Sequence, residues 1–312
     1  MKVILAGATG AIGRPLLAAL SAASHEVFAL IRNPAHRTLV TGAGATPIIA
    51  DVMEEESLLT QVDGLSADAV LHQATALRNA GRTLGPDDPT NALRDTGTRN
   101  LLSVARAVGA RRFVTQSLIT GYGYRDHGER ILTEADTFGE PVGSIGDLVA
   151  QGCVAAEKQV LSADGIDGVA LRYGMFYGPN AFSDMFAAYL RRHVPLRPLG
   201  RGGANCFIHV NDAAAATVAA LERSRAGETY NIVDDSPATW REFIDAVAEA
   251  HRTPHPLSFP GWAIRMMVPY LGALLIDTRI RASHAKATDQ LGWSPAIANI
   301  RTGLGLEARP SR

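Results

Sequence analysis

The stretch "KVILAGATGAIGRP", residues 2–15, decides the fold. It opens on a short apolar run, passes through glycines 7, 10 and 13 in the pattern G-x-x-G-x-x-G, and leads into the helical spacing of "RPLLAALSAAS". A glycine at a strand end allows a tight turn, and a second lets a pyrophosphate approach the backbone. A third lets the helix pack closely on the strand, and the helix N-terminus offers free N–H groups and the positive end of its dipole. Three glycines alone would be only a turn. Placed between a strand and a helix, Gly7, Gly10 and Gly13 predict a phosphate-binding loop. They also interrupt an apolar N-terminus that would otherwise read as a signal peptide.

Working outward, the runs "EVFALI" (26–31), "ATPIIA" (45–50), "DAVLHQ" (68–73), "RRFVTQS" (111–117) and "IDGVALRYG" (166–174) are short and rich in Val, Ile and Leu. Such runs suit strands buried on both faces, as parallel sheets require. Helical patterns in "EEESLLTQV" and "PTNALRDTGTRNLLSVARAVG" separate them. The alternation predicts βαβ units and an α/β fold: a Rossmann-like, doubly wound parallel sheet with a smaller C-terminal substrate lobe. The expected division is a dinucleotide-binding domain over residues 1–174 and a mainly substrate-binding lobe over 175–312, with some segments returning to the first core. After residue 175 the rhythm loosens into turn-rich loops and helices such as "VNDAAAATVAALERS" and "TWREFIDAVAEAHR".

Composition bounds the rest. The 312 residues are 46% hydrophobic and 20% charged with a net charge of -1, so no basic surplus points to nucleic acid. Cys153 and Cys206 lie far apart without metal-ligand spacing, which predicts no disulfide framework, no metal and a cytoplasmic setting. His209, His251 and His255 likewise lack ligand partners nearby in sequence. The segment "GWAIRMMVPYLGALLI" (261–276) is too short and too interrupted by Arg265 and Pro269 to span a membrane. It reads as a helix of the smaller lobe or a wall of its pocket. The expected partner is a small molecule, and the expected state is a monomer or homodimer.

The second strand reports on the coenzyme. An NAD site places Asp or Glu at its end to accept from the ribose 2′-hydroxyl. Here "VFALIRNPAHR" carries Arg32 at that end and Arg37 in the next turn. A guanidinium there can pair with a 2′-phosphate. NADP(H) is therefore preferred, with NAD(H) possible. The alternative is an exposed arginine on a solvated turn.

These residues resemble the extended short-chain dehydrogenase/reductases, the NAD-dependent epimerase/dehydratase family. Besides "GATGAIG", the resemblance runs through "IIADV", "AVLHQAT", "GTRNLL", "RRFVTQS…YG", "LRYGMFYGP", "FIHVNDAAAA", "GETYNIVDD" and "KATDQLGWSP", in family order over nearly the whole chain. It implies a cofactor bed of Gly7, Thr9, Gly10, Ala11, Ile12 and Gly13, then Arg32, Asp51 and Val52. Gln73, Ala74, Thr75, Gln116, Tyr173 and Met175 complete that bed. Asp51 belongs beside the adenine.

The resemblance also implies a Ser/Thr, a Tyr and a Lys, the last two four apart on one helix so that the ammonium can lower the phenol pKa. This chain lacks them. In "LVAQGCVAAEKQVL" (148–161), aligning Glu157 with the family glutamate puts Val149 in the Tyr position and Cys153 in the Lys position. No tyrosine lies between Tyr124 and Tyr173, and Lys158 faces another side of the helix. Leu118 occupies the serine position, one residue after Ser117, and Arg94 replaces an asparagine usual on the fourth helix.

Three readings follow. The chain is an atypical NAD(P)H-dependent oxidoreductase reducing a small, mostly apolar carbonyl or enone-type substrate. Or it is a non-redox cyclase, dehydratase or isomerase with the dinucleotide as a structural prop, or a nucleotide-sensing binding protein. Hydride transfer belongs mainly to the cofactor, and a general acid contributes only about 10²–10⁴-fold, which favours the first. Replacement acids are Ser117 at the fifth strand end and Tyr122 and Tyr124 in "GYGYRDHGER" (121–130), a loop that also carries Asp126 and His127. Tyr122 also matches a family tyrosine with a packing role. An inert buried thiol is the expectation for Cys153. Arg191, Arg192, Arg197 and Arg201 are the residues that could instead hold a sugar-nucleotide diphosphate.

Overall fold

The computed structural model describes residues 1–76, 85, 87–200 and 202–306. Strands β1 (Lys2–Ala6), β2 (Glu26–Ile31), β3 (Thr46–Ile49), β4 (Ala69–His72) and β5 (Arg112–Leu118) form on the apolar runs. β6 (Asp126–Leu132) lies apart, and β7 (Asp167–Tyr173), β8 (Met175–Tyr177), β9 (Arg197–Pro198), β10 (Ala204–Asn205), β11 (Phe207–His209) and β12 (Glu228–Ile232) follow. Seven strands make one parallel sheet in the order β12-β7-β5-β4-β1-β2-β3. The chain winds outward from β1 through β2 and β3, then returns to β4 on the other side of β1. That reversal opens a crevice at the C-terminal ends of β1 and β4.

Helix α1 (Gly13–Ala22) covers one face of the sheet with Leu16, Leu17 and Leu20 buried. On it packs α8 (Val210–Arg223), whose alanines allow close approach and join the same core. The opposite face is covered through Leu101, Leu102, Val104 and Ala105 of α5 (Thr98–Ala107). Along α6 (Asp147–Leu161) the buried residues Val149, Ala150, Cys153, Ala156, Glu157 and Val160 recur at helical spacing. Lys158 is exposed.

A second core gathers Phe186, Phe207, Trp240 and Phe243, with Tyr122, Tyr124 and Val149 at its edge. Over it lies a four-stranded sheet in which β6 pairs in parallel with Arg279–Ala282. Residues 121–130 are therefore not one loop. From Asp126 onward they form a strand held from afar, with Arg279 3.5 Å from Asp126 and 3.2 Å from Glu129. A partner about 150 residues away leaves no trace in a local pattern.

The apolar segment 261–276 forms two short helices, Gly261–Met267 and Pro269–Gly272, broken at Val268 before the proline, and runs on into a π turn, Ala273–Asp277. Ile264, Leu274 and Leu275 are buried, whereas Trp262 and Met266 are exposed. Among the described residues no helix is long and apolar enough to cross a membrane.

Candidate functional site: a crevice at the strand ends

A crevice of about 750 Å³ runs along the C-terminal ends of β1–β5. Its floor is the glycine loop. Gly7 has φ +90°, and a Cβ there would overlap the Gln73 backbone. A Cβ on Gly13 would overlap the Gly7 carbonyl, so both positions demand glycine. At the start of α1 no side chain caps the free N–H groups, and the first turn carries no acid. Those donors face the loop uncompensated. Gln73 and Gln116, both lining the crevice, each leave one buried polar atom without a hydrogen-bond partner. Backbone cradle, open helix end and orphaned amides fit a dinucleotide.

Of the residues expected in the cofactor bed, Gly7, Thr9, Gly10, Ala11, Ile12, Arg32, Asp51, Val52, Gln73, Ala74, Thr75 and Gln116 line the crevice. Gly13 lies beneath it as a packing glycine. Tyr173 sits one layer down, fully buried, where its hydroxyl accepts from Gln73 Nε2 at 3.2 Å and pairs with Thr217 at 2.7 Å. It orients the glutamine that lines the crevice. Met175 is buried in β8, and the next residue, Phe176, takes the lining position. Side chains alternate along a strand, a signal that could have singled out Phe176. Sequence reasoning also missed His36, Leu93 and the start of α7 (Phe182–Arg191), where Phe182, Asp184 and Met185 close the far wall, whereas Leu118, read at the family's serine position, does line the crevice. Arg32 is 78% exposed at its side chain and 3.9 Å from Asp51.

None of the three acid candidates lines the crevice. Ser117 lies between Gln116 and Leu118, which do, so strand alternation turns it to the other face of the sheet. It is fully buried and its Oγ has no hydrogen-bond partner among the described residues. Tyr122 is locked into a network. Its hydroxyl lies 2.9 Å from both the Thr133 carbonyl and Asn231 Oδ1, and accepts from Arg172 Nη1 at 3.1 Å. Arg172 in turn donates to both oxygens of Glu157 and lies 3.7 Å over the Phe138 ring. Tyr124 packs over Gly146, where a Cβ would run into its ring. Its hydroxyl is 3.0 Å from that of Tyr270, and burial pushes both phenols up in pKa.

On α6, Val149 and Cys153 are buried, and Cys153 is a free thiol. His72 at the end of β4 is fully buried beside Leu93, its Nε2 3.1 Å from the Leu93 carbonyl. Burial pushes its pKa down to about 4, leaving a neutral ring.

Of the four arginines considered for a diphosphate, the three that are described have separate surroundings. Arg197 is committed to Asp245 at 2.6 and 2.9 Å. Arg191 and Arg192 are exposed at the far end of α7, and Arg201 lies outside the described residues. Among the described residues no cluster of His, Cys, Asp and Glu could hold a metal.

Residues 3–233 match the NAD dependent epimerase/dehydratase family. The chain belongs to that family. A family relative from Streptomyces sp, named 3-diazoavenalumate denitrifying reductase, is 33% identical over 98% of this chain and 100% of its own length. Another, a 4-hydroxy-2-methyl-3-oxo-4-farnesyl-3,4-dihydroquinoline-1-oxide ketoreductase from Stigmatella aurantiaca, is 27% identical over 99% of this chain and 95% of its own. The UDP-glucose 4-epimerase of Thermus thermophilus, solved with NAD, superimposes with a TM-score of 0.75 at 23% identity, covering 98% of each chain. That likeness confirms the epimerase/dehydratase fold.

Proposed function

We propose that this family member is an NADPH-dependent oxidoreductase that reduces a small, mostly apolar carbonyl or enone-type acceptor without a helix-borne acid. The observation that carries the reading is a dinucleotide crevice kept intact beside an α6 that offers only Val149 and Cys153. When bound, the dinucleotide supplies the hydride. This chain's residues then have three tasks. The glycine loop and the α1 N-terminus hold the pyrophosphate. Arg32 meets the adenosine 2′-phosphate. Phe176, Phe182 and Met185 exclude water from the far wall.

A neutral thiol is a weak donor and carries no positive charge to lower a phenol's pKa, so Cys153 and Val149 take no part in proton transfer. With Ser117 turned to the other face of the sheet, the proton comes from the Tyr124–Tyr270 pair or from solvent. Tyr122 has a structural part, because its hydroxyl is already engaged. Two relatives with reductase names support the redox reading.

The test is incubation with candidate acceptors and NADPH deuterated at the transferred position. Deuterium in the product is the expected result. Product without label or NADPH consumption would establish non-redox chemistry. Tight NADPH binding with no turnover of any acceptor would leave a nucleotide-sensing protein.

A further inference from the structure

Arg94 is 1% exposed, and its Nε, Nη1 and Nη2 have no hydrogen-bond partner among the described residues. A guanidinium carries five donors and a charge it cannot shed. Burying it unpaired is among the most costly arrangements a fold can hold. Every other buried arginine discussed above has a carboxylate: Arg172 has Glu157, and Arg197 has Asp245. Arg94 has none.

The backbone around it is shaped to bring the side chain in. Arg94 lies on a π-helical turn, Leu93–Gly97, inserted between Pro89–Ala92 and α5. Single π turns inside helices are frequent at functional sites. Leu93, immediately before it, lines the dinucleotide crevice. The stem of Arg94 crosses α6 at Gly152, where an added Cβ would come within 3.2 Å of Arg94 Cδ and overlap Asn91 Oδ1. That oxygen is itself buried without a partner. The guanidinium charge acts on the Tyr270 hydroxyl, which pairs with Tyr124. Tyr124 and Val149 belong to the second apolar core, with Tyr270 packed against it. One fixed cation therefore sits where α6, the crevice edge and the smaller lobe meet, among aromatic and aliphatic walls.

We propose that Arg94 is the receptor for a carboxylate on the substrate, and that the substrate is a flat, apolar monocarboxylic acid. The planar fork of a guanidinium matches a carboxylate bidentately. One uncompensated positive charge balances one negative charge. Asp88 is already occupied as the cap of the preceding helix, and His72 stays neutral. A phosphate dianion would leave net charge buried. The word "substrate" rests on the reductase reading, but the site does not.

The experiment measures binding to the NADP+-loaded protein by calorimetry. The probes are benzoate, cinnamate and 3-phenylpropionate, each against its neutral amide and against sodium chloride and phosphate. At least one carboxylate is expected to bind roughly 10- to 100-fold more tightly than its amide, the worth of a hydrogen bond to a charged group. Arg94→Met should abolish the preference, retain NADP+ affinity, and raise the melting temperature of the ligand-free protein, because an unpaired buried charge is removed. Arg94→Lys should keep a weakened preference. Equal binding of every acid and its amide would overturn the proposal, as would a preference surviving in Arg94→Met. Chloride or phosphate matching the best carboxylate would assign an inorganic-ion site and overturn it equally. Carboxylate binding without deuteride transfer would instead remove the reductase reading and leave the Arg94 site. Deuteride transfer to neutral acceptors, with no preference for acids, would do the reverse.

Discussion

The hydroxyls of Tyr124 and Tyr270 lie 3.0 Å apart, tying the segment after β5 to the helix pair of the smaller lobe. Burial is the main cause that raises both pKa values, and for Tyr270 the bond from Tyr124 and the charge of Arg94 only offset it. Both phenols therefore stay protonated well into the alkaline range. An acid that must be protonated loses activity as pH rises through its pKa. The expected kcat profile for reduction is flat from pH 7 to 9, unlike that of a tyrosine whose pKa a lysine has lowered. Tyr124→Phe should lower kcat by about tenfold or more if the pair donates the proton. A descending limb centred near pH 7 would show that another group does.

Tyr122, two residues earlier in the chain, should behave differently. Its hydroxyl completes the Arg172–Glu157 pair, in which both side chains are buried. Breaking a buried pair leaves an uncompensated charge and costs about 3 kcal/mol or more. Glu157→Gln is expected to lower the melting temperature by roughly 1–2 °C for each kcal/mol lost. Tyr122→Phe should cost less, about 1–3 kcal/mol, with kcat in the folded fraction unchanged. Differential scanning calorimetry beside steady-state kinetics checks both. A large drop in kcat for Tyr122→Phe at unchanged stability would return that hydroxyl to the chemistry.

Much of this architecture was legible in residues 2–15 and in the spacing of apolar runs. Strands buried on both faces and glycines that tolerate no Cβ are local requirements, and local requirements appear in sequence. That α6 carries Val149, Cys153 and Glu157 at four-residue spacing was legible too, and the structure buries all three on that helix. What stayed hidden depends on distant partners. Asp126 joins a strand only because Arg279 and its neighbours pair with it. Tyr122 reads as a proton donor until Arg172 and Asn231 are seen to occupy its hydroxyl. Arg94 reads as a substitution on a helix until the π turn and Gly152 are seen to bury it.

His72 gives the fold a pH dependence of definite sign. Its folded pKa is about 4, against 6.5 for a free imidazole, with burial as the main cause. Between these values the unfolded chain binds more protons than the folded one, so stability increases with pH across that window. The contribution is complete above about pH 6.5 and is lost as pH falls toward 4, on the order of 3 kcal/mol in all. Urea melts of the wild type and His72→Gln at pH 4.5 and 7 should show a steeper loss in the wild type. Parallel losses would mean that another group carries the acid sensitivity.

Coenzyme choice is expected to turn on Arg32 and Asp51. Arg32 is largely exposed and only loosely held by Asp51 at 3.9 Å, so it is free to take a 2′-phosphate as a bidentate partner. Hydrogen bonds to a charged group are worth roughly 1.5–3 kcal/mol, which sets about a 10- to 100-fold loss of NADPH affinity for Arg32→Ser. NADH affinity should hold, since NADH carries no 2′-phosphate for Arg32 to meet. Exposed charges are screened over a Debye length of about 8 Å at physiological ionic strength. The NADPH preference proposed for the wild type should therefore narrow as salt is added, and the affinity ratio of Arg32→Ser should not change. Fluorescence titration of both reduced coenzymes at two salt concentrations measures all four quantities. Equal wild-type affinities for NADPH and NADH at low salt would refute the role given to Arg32.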